Sequence, residues 1–268
     1  MSATLPRPAE QRSTWRAVAL PSEHGGWGLT AEPALLGLLV AWSAAGAALA
    51  VATMVAFLVR TPIKTVLVDW WRDRRLPRTR VAALIAGGEL AVLVALTAVA
   101  SALAGWGWLV PALVALPLIG VELWFDMRSR SRRLLPELCG AVGIGASATA
   151  VALAGGVEPA LAYGLWLVVA GRAISSIPFV RVQISRLRRG SGPVTTSDAA
   201  QVAGVAIAAV GVLLDERLAA GVAGLVVLAL LQTFWVRRPP VAAKVLGLRQ
   251  MALGLGLVVL TGLCVQLT

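Results

Sequence analysis

Residue types that build disulfide frameworks and many soluble active sites are scarce in this chain. Its 268 residues include two cysteines, one histidine and 13 acidic residues. Cys139 and Cys264 both lie in apolar runs without CxxC or Cys/His spacing, so the sequence predicts neither a disulfide framework nor a zinc site. We interpret both cysteines as small apolar packing residues.

Charge of either sign is also scarce, whereas apolar residues are abundant. Charged residues make up 14% of the chain, against roughly 25% in soluble domains. Hydrophobic residues make up 58%, and the mean hydropathy is +0.82. The net charge of +11 comes from Lys and Arg in short clusters between long apolar runs. This pattern is typical of membrane topology rather than of nucleic-acid binding, so we predict an integral membrane protein in contact with lipids and without a nucleic-acid partner.

The apolar runs predict an all-α polytopic bundle, because a spanning helix needs about 20 mostly apolar residues. Residues 1–20 are predicted to form a cytoplasmic N-terminal arm and residues 21–268 a single transmembrane helical domain. The arm lacks the apolar stretch and cleavage site of a secretory signal. About nine spans are predicted, at 25–43, 48–68, 81–103, 107–125, 138–155, 159–180, 199–214, 218–236 and 248–267.

The distribution of basic residues predicts the orientation of these spans. When alternate gaps between spans are assigned to one side, that side receives 23 of the 24 Lys and Arg residues, and only Arg217 remains for the other. Loops rich in Lys and Arg stay in the cytoplasm. We therefore predict a plasma-membrane protein with its N-terminus in the cytoplasm and its C-terminus outside.

Several ionisable residues, among them five in the cytoplasmic half of the membrane, fall within the predicted spans, where each costs roughly 2.5–3.5 kcal/mol on insertion scales. In one interpretation they form buried pairs that only hold the bundle together. In the other they line one polar cavity open to the cytoplasm, where an excess of cations favours an anion. We expect at least one carboxylate within salt-bridge distance of an intramembrane arginine. The five residues are Glu32, Arg60, Lys64, Glu89 and Arg172.

Pairs of acidic residues near the ends of the second and fourth spans predict a further feature at the mouth of this cavity. Asp69 and Asp73 have i, i+4 spacing that would place them on one helix face, and arginines follow them. Glu122 and Asp126 repeat the pattern before Arg128. Paired carboxylates can hold Mg²⁺ together with substrate phosphates, so Asp69 and Asp73 are predicted to hold at most one Mg²⁺. The alternative is an ordinary solvated, salt-bridged helix end.

The only histidine, His24, lies in the segment Ser22-Glu23-His24-Gly25-Gly26-Trp27-Gly28 at the start of the first span. Closely spaced glycines next to a histidine suggest close approach of the backbone to another group. A catalytic residue and a satisfied interfacial residue both remain open as interpretations of His24.

Three segments resemble the YwiC-like family of bacterial polytopic membrane proteins. They are the opening PSEHGGWGL, the stretch TPIKTVLVDWWRDRR and the later SSIPFVRV. The resemblance covers nearly the whole chain from about residue 21. It implies a multi-span membrane protein and implies no particular chemistry.

A more distant resemblance is to the UbiA-like intramembrane prenyltransferases. Their layout implies nine helices, a cytoplasmic-side cavity, an Asp-rich motif after the second helix and a basic loop after the fourth. Asp69 and Asp73 match the first motif, and Arg128 lies near the basic loop. The aspartates expected after the sixth helix are missing, and Arg172 and Arg181 occupy that region. The resemblance thus implies no second Mg²⁺ site, with arginines as diphosphate partners.

Two functions remain open at this point. The first is an enzyme, a divergent prenyltransferase-like transferase acting on an isoprenyl diphosphate or quinone-like lipid. The second is a non-enzymatic carrier for a small anion or an accessory subunit of a respiratory membrane complex. For the enzyme, the predicted catalytic residues are His24, Glu32 and Asp69; the predicted anion-binding residues are Arg60, Lys64, Arg128, Arg172 and Arg181; and the predicted metal ligands are Asp69 and Asp73.

Overall fold

The computed structural model describes residues 18–21, 24–74 and 76–268, so most of the predicted N-terminal arm lies outside it. The regular structure of the described residues is helical throughout, which confirms the all-α prediction. From His24 onward, the described chain forms nine α-helices, with a short 3-10 turn at Glu216–Leu218 between the seventh and the eighth. They are α1 His24–Val40, α2 Ala44–Trp71, α3 Pro77–Ala104, α4 Leu109–Met127, α5 Leu134–Ala154, α6 Pro159–Arg189, α7 Val194–Leu214, α8 Ala219–Trp235 and α9 Ala243–Leu267.

Eight helical segments of the described chain are long and apolar enough to cross a membrane by length and composition: α2 to α7, α9, and α8 together with the preceding 3-10 turn, Glu216–Trp235. The first helix, α1, has 17 residues. At 1.5 Å per residue it is about 25 Å long, at the short end of the range for a spanning helix. The predicted nine helices are therefore present in the described chain, and eight of them meet both criteria for a span.

Several helix ends follow local sequence chemistry. The side chain of Ser43 caps α2 by accepting a 2.8 Å hydrogen bond from the backbone N–H of Gly46. Proline opens both α3 and α6, at positions where its missing N–H has no helical partner to lose. Gly190 ends α6 with a φ of 72°, the left-handed conformation that favours glycine after a helix.

Helices α1, α5 and α6 form the centre of the bundle. Helix α5 packs against α1, α2, α4 and α6, while α1 also packs against α9. Helix α6 is the most buried span, and α3, which packs on α2, is the least buried. At the crossing of α6 and α7 a Cβ atom on Gly171 would overlap the backbone of Gly204. Small residues thus allow these two backbones to touch, as is common between helices in membranes.

The charged junctions between helices meet at one end of the bundle, which we call the basic face. Arg72 after α2 donates a 2.9 Å hydrogen bond to Ser129 after α4. Arg181 near the end of α6 donates to the carbonyl of Arg132 at 3.0 Å. Arg186 on α6 donates to the carbonyl of Arg238 after α8, also at 3.0 Å. The helix order therefore collects the basic junctions on one side, as the alternation in the sequence predicted.

The opposite end of the bundle carries little positive charge. There Ser43 donates to the carbonyl of Ala154 at 3.3 Å and so joins the α1–α2 junction to the end of α5. Arg217 lies at the same end and pairs with Asp215 at 2.7 Å. The assignment of the basic face to the cytoplasm rests on the positive-inside rule and stays a prediction.

Candidate functional site

Two groups of ion pairs join spanning helices inside the described part of the bundle. The first joins α2 to α4, and we call it the α2–α4 cluster: Arg60, Lys64, Glu122, Asp126 and Ser131. Arg60 lies 2.9 Å from Glu122 and 3.0 Å from Asp126. Lys64 lies 3.3 Å from Asp126 and donates a 2.9 Å hydrogen bond to Ser131. Both cations of α2 are therefore compensated by carboxylates of α4.

The relative lengths of two helices explain this pairing. Helix α4 ends at Met127, directly after Asp126, whereas α2 continues to Trp71, well beyond Arg60. The end of α4 consequently lies level with the middle of the cationic stripe of α2. The sequence predicts Glu122 and Asp126 at the mouth of the polar cavity, above Arg60 and Lys64. That placement is wrong, because the acids lie beside the cations and contact them directly.

A glycine of α5 forms the third side of the α2–α4 cluster. The carboxylate of Glu122 lies against Gly140 so closely that a Cβ atom on this glycine would overlap it. Glu122 is 8% exposed and Asp126 is fully buried. The cluster thus lies between three helices rather than on the surface of α2.

The second group, the Arg172 cluster, joins α6, α1 and α9 through Arg172, Glu32 and Gln250. Arg172 and Glu32 are 2% and 3% exposed. The Nη2 atom of Arg172 lies 3.8 Å from Oε1 of Glu32 and donates a 2.7 Å hydrogen bond to the carbonyl of Gln250. Together with the Arg60 pairs, this confirms the expected carboxylate beside an intramembrane arginine.

The Arg172 cluster retains donors that the described part of the chain does not satisfy. Nε and Nη1 of Arg172 have no hydrogen-bond partner among the described residues, and neither does Nε2 of Gln250. The 3.8 Å distance to Glu32 is too long for a hydrogen bond. A buried donor without a partner costs about 1–3 kcal/mol. Three such donors therefore lie on two residues in contact.

A chain of buried amides leads from this cluster through α9, α8 and α7. Gln232 donates to Oε1 of Gln250 at 3.4 Å, and Gln201 donates to Oε1 of Gln232 at 3.1 Å. The same amide of Gln201 also donates to the carbonyl of Ser175 on α6, at 3.0 Å. Sequence analysis missed all three glutamines, although a lone amide within an apolar span is itself a signal of a polar interior.

The predicted metal pair does not share a helix face. Helix α2 ends at Trp71, so Asp73 lies beyond it, exposed and with a φ of 49°. Asp69 is buried, and its carboxylate accepts hydrogen bonds from Arg78 at 2.8 Å and 3.2 Å and from Thr79 at 2.6 Å. The i, i+4 premise is therefore wrong for this pair. In the structure Asp69 ties the end of α2 to the start of α3, and Mg²⁺ binding stays a prediction.

Two other predicted anion ligands lie on the basic face. The guanidinium of Arg128 lies 3.8 Å from the ring centroid of Trp124 and 5.3 Å from that of Trp71. Arg181 lies 2.8 Å from Glu137. Neither residue belongs to either of the two buried clusters.

The remaining candidates lie apart or outside the described side chains. His24 is the first residue of α1, and its side chain lies outside the described part of the structure. Glu89 lies on α3, half-buried, and its Oε2 atom has no hydrogen-bond partner among the described residues. A single cavity that contains all five intramembrane charges stays a prediction.

Residues 20–152 match the model of a protein family described as YwiC-like protein. The matched range contains α1 to α4 and most of α5, so it includes Glu32 and the whole α2–α4 cluster. Arg172 and Gln250 lie beyond it. No curated protein and no solved structure matches the chain.

Proposed function

The chain belongs to the YwiC-like family, and we propose that this multi-span membrane protein binds an amphipathic anion at its Arg172 cluster. One observation carries the proposal. Arg172 is 2% exposed, yet its Nε and Nη1 atoms have no hydrogen-bond partner among the described residues. A buried guanidinium of this kind is stabilised by an anion that supplies the missing acceptors.

The other predicted anion ligands are less suited to this role. Arg60 lies between two carboxylates, Glu122 and Asp126, at about hydrogen-bond distance from each. Arg181 pairs with Glu137 at 2.8 Å. An incoming anion would have to displace a carboxylate from either arginine, whereas Arg172 offers donors without such a displacement.

The surroundings of Arg172 favour an anion with an apolar tail. The three helices that carry the cluster also supply the main apolar core, which includes Leu36 on α1, Leu165 on α6 and Leu257 on α9. A molecule with a phosphate head and a hydrocarbon tail would place its tail along such helices or in lipid. The resemblance to the UbiA-like layout suggests an isoprenyl diphosphate as this molecule.

Charge balance suggests a proton-carrying role for Glu32. With Arg172 cationic and Glu32 anionic, the cluster is neutral, and an added anion would leave uncompensated negative charge in a medium of low dielectric constant. Proton uptake by Glu32 on binding would offset one of the added negative charges. We therefore assign Glu32 to proton handling within the proposed function.

The proposed binding does not depend on Mg²⁺ at Asp69. Its carboxylate would have to give up the hydrogen bonds from Arg78 and Thr79 before it could hold a metal. We propose that arginine and amide donors hold most of the anionic head, and that Mg²⁺ adds at most a small part of the affinity. Titrations with and without Mg²⁺ measure that part.

Calorimetric titration with geranylgeranyl diphosphate tests the proposed function. A charged hydrogen bond is worth about 1.5–3 kcal/mol, so Arg172→Gln is expected to weaken binding roughly 10-fold to 150-fold. Arg181→Gln is the matched control on the same helix and should bind like the wild type. Glu32→Gln keeps the arginine and should retain binding, which separates loss of the site from loss of the fold.

Equal affinity of the wild type and the Arg172→Gln variant would refute the proposal. Transport of a small inorganic anion by proteoliposomes, combined with no binding of the isoprenyl diphosphate, would favour the carrier instead.

A further inference from the structure

A second cationic surface lies where α2 and α4 end at the basic face. Its residues are Trp71, Arg72, Trp124, Arg128 and Ser129, and we call it the Arg128 platform. The guanidinium of Arg128 lies over the ring of Trp124, with the ring of Trp71 also near it. Arg72 donates a 2.9 Å hydrogen bond to Ser129 and so joins the two helix ends.

Among the described residues, no carboxylate forms an ion pair with the arginines of the platform. Neither Arg72 nor Arg128 takes part in any of the ion pairs formed by the described residues. The nearby carboxylate of Asp126 is already engaged by Arg60 and Lys64. The hydroxyl of Ser129 and the two indole rings are neutral partners. Within the described part of the chain, the platform therefore presents two guanidinium groups without an ion-pair partner, one bound to Ser129 and the other next to the rings of Trp71 and Trp124.

The two tryptophans indicate the level of the platform relative to the membrane. Trp71 is 50% exposed and Trp124 is 49% exposed. Both lie at the ends of spanning helices, where indole rings favour the headgroup region. Contact with these rings holds the Arg128 guanidinium at the same level.

We propose that the Arg128 platform binds the phosphate headgroup of an anionic phospholipid in the leaflet that borders the basic face. Guanidinium groups form charge-assisted hydrogen bonds with phosphate oxygens, and basic groups next to spanning helices attract anionic lipids. The indole rings would contact the glycerol and upper acyl region of the same lipid. This site is separate from the Arg172 cluster, which is buried and shares no residue with it.

Lipid retention measured by native mass spectrometry tests this inference. The full chain is reconstituted in nanodiscs of phosphatidylcholine mixed with phosphatidylglycerol, and the phosphatidylglycerol retained after release is quantified. Arg128→Gln and Arg72→Gln are each expected to reduce retention several-fold. Arg72 is exposed at a helix end, so its variant is expected to fold even if Arg128→Gln does not.

Arg238→Gln is the matched control. Arg238 also lies over an aromatic ring, Phe234, at 4.5 Å, and also follows a helix end at the basic face. This variant should retain phosphatidylglycerol as the wild type does. An equal loss in the Arg238→Gln control would overturn the inference in favour of general surface charge. Unchanged retention in both platform variants, or displacement of the lipid by inorganic phosphate alone, would also overturn it.

Discussion

The carboxylate of Glu32 on α1 lies directly against Gly254 on α9, so closely that a Cβ atom on this glycine would overlap it. Glu122 on α4 has the same relationship with Gly140 on α5. Both buried glutamates with arginine partners therefore use the space that a glycine leaves on a neighbouring helix. In the Arg172 cluster this contact sets the position of Glu32 relative to Arg172 and Gln250.

Gly254→Ala is expected to destabilise the protein and to weaken anion binding, because the new methyl group displaces the Glu32 carboxylate. Overpacking of a filled interior costs about 1–3 kcal/mol. Thermal unfolding in detergent and the isoprenyl diphosphate titration measure the two effects. Gly256→Ala is the control on the same helix, since a Cβ atom there meets no other atom within 4 Å. If Gly254→Ala were as stable as this control, the close contact would be disproved.

The α2–α4 cluster predicts strong energetic coupling between Arg60 and Asp126. Asp126→Asn leaves Arg60 with Glu122 as its carboxylate, and Arg60→Gln leaves Asp126 with Lys64, whereas the double variant removes both charges. We expect a double-mutant coupling of about 1–3 kcal/mol, toward the lower end because the Arg60 side chain is 24% exposed. The exposed pair Arg237–Asp198 serves as the comparison and should show weaker coupling. Additive effects of the two single variants would contradict direct pairing of α2 with α4.

The positive-inside prediction can be tested by labelling of introduced cysteines. In a background without Cys139 and Cys264, Glu158→Cys should react with a membrane-impermeant reagent from outside the cell. Ser191→Cys should react only after permeabilisation. Both positions are exposed, and Ser191 avoids the left-handed backbone of Gly190, whose φ is 72°. The reverse labelling pattern would show that the basic face lies outside the cell and would contradict the prediction.

The ion pair of Asp215 and Arg217, at the opposite end of the bundle, is predicted to stabilise the fold equally at pH values of about 5 and 7. Hydrogen bonds from Arg217 hold the pKa of the Asp215 carboxyl below its ordinary 3.8, against an opposing effect of burial. A lowered folded-state pKa gives stability that is present above the unfolded value and is lost as the pH falls through the folded value. Asp215→Asn should therefore cost the same at pH values of about 5 and 7, by at most about 1 kcal/mol because Arg217 is 38% exposed. A smaller cost at the lower pH in thermal unfolding would contradict this assignment.

The helical architecture could be predicted from the sequence because long apolar runs and clustered arginines are strong one-dimensional signals. The pairing of the charged residues could not be predicted in this way. The i, i+4 spacing of Glu122 and Asp126 placed both on one face of α4, but their partners depend on how far α2 extends past the end of α4. That difference appears only when the two helices pack against each other.

Two further features of the structure could not be predicted from the sequence pattern. Asp73 was expected to continue the face of Asp69, but α2 ends at Trp71 and the chain turns toward α3. Gln201, Gln232 and Gln250 lie on three different helices, so no spacing within one helix relates them. Their hydrogen bonds depend on the adjacency of α7, α8 and α9.

Lipid analysis of the purified protein tests the central claim, anion binding by Arg172, most directly. The account predicts that an isoprenoid phosphate or another anion with an apolar tail co-purifies with the wild type and is depleted in the Arg172→Gln variant. The same molecule should remain with Arg128→Gln, which alters only the surface platform. Equal recovery of every co-purifying anion from the wild type and the Arg172→Gln variant would contradict the claim.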